Sequence, residues 1–162
     1  GSVWAKFSND GGTTFGAETL WDAANPTVAW TVNTGDGTKT IVGRARNSSG
    51  TTWSIGSQSV ILDSTLPTTP GTLSKTASCS GTTRTVNMSW GTSTDTNLVG
   101  YRVYRSTDGV SWSIVTSTVG TTASDSTSKT LTSVRYYVAA YDKAGNESAA
   151  TNIITFAKNV CT

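Results

Sequence analysis

Leu98-Val-Gly-Tyr-Arg-Val-Tyr-Arg105 and Tyr136-Tyr-Val-Ala-Ala-Tyr-Asp142, the latter continuing into Lys143-Ala-Gly-Asn-Glu-Ser148, decide the fold. In the first stretch Tyr101 and Val103 share one face of an extended chain, and Ser106-Thr-Asp-Gly109 follows as a turn signal. In the second, Tyr136, Val138 and Ala140 share a face with Val134 just upstream, and a polar loop closes the strand. Aromatic and β-branched residues at a period of two build the half-buried strands of a β-sandwich. Neither stretch holds a nucleophile–base pair or a metal motif, so both specify architecture and no chemistry.

Working outward, the composition agrees. Thr (32) and Ser (22) make up one third of the 162 residues, a mixture suited to strands and turns. No ten-residue segment has helical apolar spacing. Net charge is +2 with 14% charged residues and no basic run, which argues against a nucleic-acid partner. No apolar run approaches the ~18 residues that a membrane-inserted helix needs. Gly1-Ser2 reads as a cloning scar, and the chain is then a piece of a longer protein.

A linker is expected at Asp63-Ser-Thr-Leu-Pro67-Thr-Thr-Pro70-Gly71, where two prolines and a glycine follow the apolar run Val60-Ile-Leu62. It divides the chain into domains 1–66 and 67–162. Seven strands are predicted in the second, at about 72–78, 83–90, 99–106, 111–118, 128–133, 134–142 and 150–157. Val86, Met88 and Trp90 are expected inside on the second of these, and Ile154 and Phe156 on the last.

Residues 68–157 resemble a fibronectin type III domain of bacterial extracellular proteins. The matching features are Trp90, Gly100-Tyr-Arg-Val-Tyr-Arg105, Tyr136-Tyr-Val-Ala-Ala-Tyr-Asp142 and the loop to Ser148. Val134 stands where that family has a buried corner tyrosine. The first half resembles the C-terminal part of a bacterial immunoglobulin-like repeat, through Phe7-Ser-Asn-Asp-Gly-Gly12, Trp30-Thr-Val, Gly35-Asp-Gly-Thr-Lys-Thr-Ile41 and Ser59-Val-Ile-Leu-Asp63. Two strands that the repeat places before Val3 are missing. The fold class is thus all-β, two tandem immunoglobulin-like sandwiches, the first lacking two N-terminal strands or being a smaller variant. An open sheet of that kind exposes apolar surface and an edge that invites another strand.

Candidate chemistry is sparse. Acid–base catalysis needs a tunable group in a pocket, and the chain has no histidine. Asp10, Asp36, Asp63, Asp95, Asp108, Asp125 and Asp142 all read as turn residues bonded to their own backbone. The reading is therefore non-enzymatic. Two cysteines without histidine favour a disulfide, Cys79–Cys161, over a metal site, and an oxidising compartment with it. In the sandwich these residues follow the first and last strands, which end at the same pole. Calcium is the one cofactor considered, held at the domain junction by Asp63, Asp95, Asn97 and Asp142, with Asn146, Asn9, Asp10 and Asp36 nearby. Trp4, Trp21 and Trp53 form a possible ligand platform if exposed together.

The expected function is a non-catalytic extracellular spacer of a bacterial surface or secreted protein, with adhesion as a secondary role. Its alternative is a carbohydrate- or receptor-binding accessory module of a secreted hydrolase or a phage virion protein. Expected partners are neighbouring domains of the parent, and a polysaccharide or cell-surface protein. The chain is expected to be monomeric unless the open sheet of domain 1 pairs.

Overall fold

The computed structural model describes residues 2–21, 24 and 27–161; Gly1 of the expected scar lies outside them. The described residues are all-β, and no helix among them is long and apolar enough to cross a membrane. The chain divides into Gly1–Ser64 and Thr65–Thr162, against an expected boundary at 66/67.

The first unit is one antiparallel sheet. Its strands are β1 (Val3–Ser8), β2 (Thr19–Trp21), β3 (Gly37–Asn47) and β4 (Thr52–Leu62), in the order β2-β1-β3-β4. Asn47 sets the β3–β4 turn: its Oδ1 accepts from the Thr51 amide at 2.9 Å and the Ser49 hydroxyl at 2.7 Å. Gly43 lets the sheet face close, because a Cβ there would lie 2.6 Å from the Ile55 side chain. The segment Trp30-Thr-Val joins no sheet. Instead, Trp30 stands half-buried against Phe7, ring centroids 5.6 Å apart, and its indole N–H donates to Asn9 Oδ1 at 2.7 Å. A loop residue thus covers apolar surface that a second sheet covers in a full sandwich. Among the described residues of this unit the buried apolar ones are Ala5 and Ala45, while β4 is exposed along nearly its whole length.

The second unit is a closed sandwich. Its strands are β5 (Ser74–Ser80), β6 (Thr83–Ser89), β7 (Leu98–Ser106), β8 (Ser113–Thr118), β9 (Thr122–Ser128), β10 (Ser133–Asp142) and β11 (Ile154–Ala157). They form two antiparallel sheets, β11-β10-β7-β8 and β5-β6-β9. Val86, Met88, Trp90, Tyr101, Val103, Val134, Tyr136, Val138, Ala140, Ile154 and Phe156 pack between them, all buried, as the alternation of the sequence required. Fully burying a large side chain of this kind is worth about 1.5–3 kcal/mol, so the second unit rests on a core that the first lacks. Gly100 in the diagnostic strand is a packing residue: a Cβ there would lie 2.4 Å from the carbonyl oxygen of Thr118. The buried Tyr101 hydroxyl accepts from the Ser93 amide at 2.8 Å, so the ring adds volume without an orphaned polar atom.

One strand is misplaced by sequence reasoning. The predicted strand at 128–133 is a turn, and the strand lies at Thr122–Ser128. Its inward residues are Ala123, Asp125 and Thr127, facing the core from positions opposite Met88, Val86 and Arg84. Small and polar residues on its inner face hide the strand from an apolar pattern, and half-buried Leu131 in the turn supplies a false one. Asp125 is accordingly no turn residue. Its Oδ2 accepts from Tyr136 Oη at 2.9 Å and pairs with Arg105 Nη1 at 2.9 Å.

Candidate functional site

The two outer faces of the closed sandwich differ in chemistry, and strand register dictates both. On the β10–β7 pair, Tyr137 lies opposite Tyr104 and Ala139 opposite Arg102. The two tyrosine rings stack at 4.6 Å and 18°, and Trp112 leans on Tyr137 at 4.6 Å. Tyr104 Oη donates to Glu147 Oε1 at 2.6 Å, and Arg102 Nη1 reaches Glu147 Oε2 at 3.5 Å while its guanidinium lies 4.2 Å over the Tyr141 ring. Burial, then the hydrogen bond to Glu147, push the Tyr104 hydroxyl up to about 12. The stack covers one face each of Tyr104 and Tyr137.

The outer face of β5-β6-β9 carries no charge. Its two middle rows are Thr76–Asn87–Ser124 and Ser78–Thr85–Ser126, and the rows above and below hold only Ser and Thr. Strand geometry spaces such a grid at roughly 4.8 Å across and 6.7 Å along. A shallow groove of about 470 Å³ lies over its upper half, lined also by Lys75, Met88 and Ala123, whose register is that of the inner face. The outward rows themselves are neutral hydrogen-bonding groups without an aromatic ring.

At one pole, Cys79 and Cys161 form a disulfide with Cα atoms 5.6 Å apart. Beside it the fully buried Arg84 donates from Nε to the Val160 carbonyl at 2.8 Å and from Nη2 to the Ala157 carbonyl at 2.7 Å. The Asn159 amide donates to the Lys129 carbonyl at 2.8 Å. Disulfide and guanidinium together strap the end of the chain to the sandwich. The one sequence signal for Arg84 is its parity, an arginine that shares the inward face of its strand with Val86 and Met88.

No family model matches the chain. A stretch of 94 residues, 57% of the chain, is 39% identical to Chitinase A1 of Niallia circulans, of which it spans 12%. Among solved structures, the FN1–FN3 domains of chicken CNTN1 align with 98% of the chain and 56% of their own length, at a TM-score of 0.65 and 16% identity. The second unit has the fibronectin type III fold. The Endo-D glycoside hydrolase domain of Streptococcus pneumoniae matches 99% of the chain and 27% of its own, at a TM-score of 0.50 and 18% identity.

Asp95, Asn97 and Asp142 of the calcium expectation lie in the fibronectin type III unit, and Asp63 in the first unit. Within the former, carboxylate oxygens of Asp95 and Asp142 come within 4.8 Å of one another. Both carboxylates cap turns. Asp95 Oδ1 accepts from the Asn97 amide at 2.7 Å, and Asp142 accepts from the Asn146 amide and side chain, each at 2.8 Å. Burial of Asp142 opposes its ionisation, but the hydrogen bonds from Asn146, Gly145 and Ala144 outweigh it and hold the carboxyl below the usual range.

Trp4, Trp21 and Trp53 do not lie on one face of the first unit's sheet. Trp21 lies opposite Val3 and Trp53 opposite Ala45, which puts both on the β1 face of Val3 and Ala5. Trp4 has the other parity and lies under the Arg46 guanidinium at 4.5 Å. Trp21 (40% exposed) and Trp53 (39% exposed) sit on opposite edge strands, about 14 Å apart by strand spacing. Asp10 and Asp108 are turn caps. Hydrogen bonds from Ser8 and Thr14 to the first, and from the Val110 and Ser111 amides to the second, hold both carboxyls well below the usual range, which suits them to structure rather than to proton transfer near neutral pH.

Proposed function

We propose that this chain is a non-catalytic accessory segment of a secreted or cell-surface bacterial protein that degrades a polysaccharide, and that it spaces and orients the domains around it. The observation that carries this reading is the 39% identity to a stretch of Chitinase A1. The chain spans only 12% of that protein, the proportion of an appended module rather than of a catalytic domain. Three further features support it. The fold is a scaffold whose function lies in what is attached to it, the carboxylates of Asp95 and Asp142 cap turns and that of Asp125 sits in an internal network, and the disulfide suits an oxidising extracellular compartment. The uncharged hydroxyl face of the second unit supplies the surface for contact with a neutral polymer.

The test is made in the parent protein, by replacing residues 1–162 with a Gly/Ser linker of equal residue number. Hydrolysis of a short soluble substrate should be unchanged, while hydrolysis of the insoluble polysaccharide should fall several-fold. Equal rates on both substrates would refute the spacing role. Sugar release by residues 1–162 alone would refute the non-catalytic one.

A further inference from the structure

We propose that the Cys79–Cys161 disulfide makes the fibronectin type III unit a tether of limited length, gated by redox state. Covalent bonds fix the path of any tension along the chain. Force entering at Thr65 runs through β5 to Cys79, crosses the sulfur–sulfur bond to Cys161 and leaves. The 82-residue sequence separation between the cysteines places β6 to β11 outside that path. Only residues 65–78 can be drawn out while the bond is intact.

The loaded segment is held along its length. Its start is pinned by Thr68 N–H donating to the Thr94 carbonyl and Gly71 N–H donating to the Gly91 carbonyl, both 3.1 Å. Asn152 then clamps Leu73 from both sides, accepting from its amide at 2.8 Å and donating to its carbonyl at 3.1 Å. β5 pairs with β6 alone and forms the edge of its sheet. If β5 yields, the core loses Leu73 and the flanking Ala77, while Arg84 continues to hold the Val160 and Ala157 carbonyls. The rest of the sandwich stays closed because its two ends are joined.

Reduction removes the limit. A dithiol such as dithiothreitol supplies two electrons and two protons, the sulfur–sulfur bond breaks to two cysteine thiols, and the reductant becomes a cyclic disulfide. Both cysteines are half-buried rather than enclosed, so a small thiol can reach them. Tension then extends the whole unit. The biological use rests on the spacer reading above; the mechanical property does not.

The experiment stretches the full chain between end handles attached by peptide ligation, without added cysteines, in optical tweezers. At about 3.5 Å per extended residue, the 162 residues less the 82 bypassed give a contour length of about 28 nm when oxidised. With dithiothreitol, or in Cys79→Ser/Cys161→Ser, the expected length is about 57 nm, a twofold gain. Total contour length at high force is read, so a variant that fails to fold still reports. An oxidised length near 57 nm, or a reduced length near 28 nm, overturns the proposal. A linker replacement that leaves polysaccharide hydrolysis intact would sink the spacer reading and leave this one standing.

Discussion

Asp125 is the residue whose removal tests the internal logic of the closed sandwich most directly. Its carboxylate accepts from the hydroxyl of Tyr136, a residue with 0% exposure, at 2.9 Å and faces Arg105 at 2.9 Å. A hydrogen bond to a charged acceptor contributes about 1.5–3 kcal/mol. The Arg105 and Asp125 side chains keep 30% and 15% of their exposure, so solvent screening limits the ion pair to about 0.2–1 kcal/mol. Asp125→Ala should therefore cost about 2–3 kcal/mol. For a unit of about 100 residues that corresponds to roughly 10–15 °C in the midpoint of its thermal transition. Tyr136→Phe keeps the ring and removes only the hydroxyl, and should cost about 1–2 kcal/mol. Because both substitutions delete the same bond, the double variant should be less destabilised than the sum, with a coupling of about 1–2 kcal/mol. Urea unfolding of the four proteins, followed by fluorescence, measures the cycle. Strict additivity would show that the hydroxyl and the carboxylate do not act together, and the reasoning would fail.

Two further predictions follow from the same unit. Tyr104 ionises only at about 12 when folded, and burial raises Tyr136 and Tyr137 as well, with Asp125 or Glu147 beside them. The unfolded chain ionises these groups near 10, so their contribution to stability is intact below pH 10 and is lost as pH rises through 12; ultraviolet titration should show a late-ionising class of phenols that Tyr136→Phe makes smaller, and a single step near 10 would contradict it. Gly100→Ala sets a Cβ 2.4 Å from the Thr118 carbonyl oxygen, a backbone atom that cannot swing aside, and should destabilise by more than about 2 kcal/mol. Gly120→Ala, with 3.7 Å to its nearest neighbour, is the control expected to be near neutral in the same urea experiment.

The architecture of the second unit was legible because its central strands alternate cleanly. Val134, Tyr136, Val138 and Ala140 point inward, and a strand with that pattern has one way to lie. β9 was not legible, because its inner face is Ala123, Asp125 and Thr127 and its outer face is serine and threonine. Its place in the fold is defined by partners: Val86 opposite Asp125 across the ladder, and Tyr136 and Arg105 across the core. Pairwise constraints of this kind leave no trace in a periodicity. The hydroxyl face has the same origin. Ser78, Thr85 and Ser126 are ordinary surface residues in the sequence, and they become one row only when β5, β6 and β9 are brought into register. Arg84 carries the argument furthest. A buried guanidinium is costly unless its hydrogen bonds are made, and two of its donors find carbonyls that the sequence places more than seventy residues away. The strand that holds Arg84 therefore needs the C-terminal segment in place, and the disulfide of Cys79, the residue directly opposite Arg84 on β5, keeps that segment there. Closure of this pole is a cooperative property of residues at the two ends of the unit, which is why neither end announces it alone.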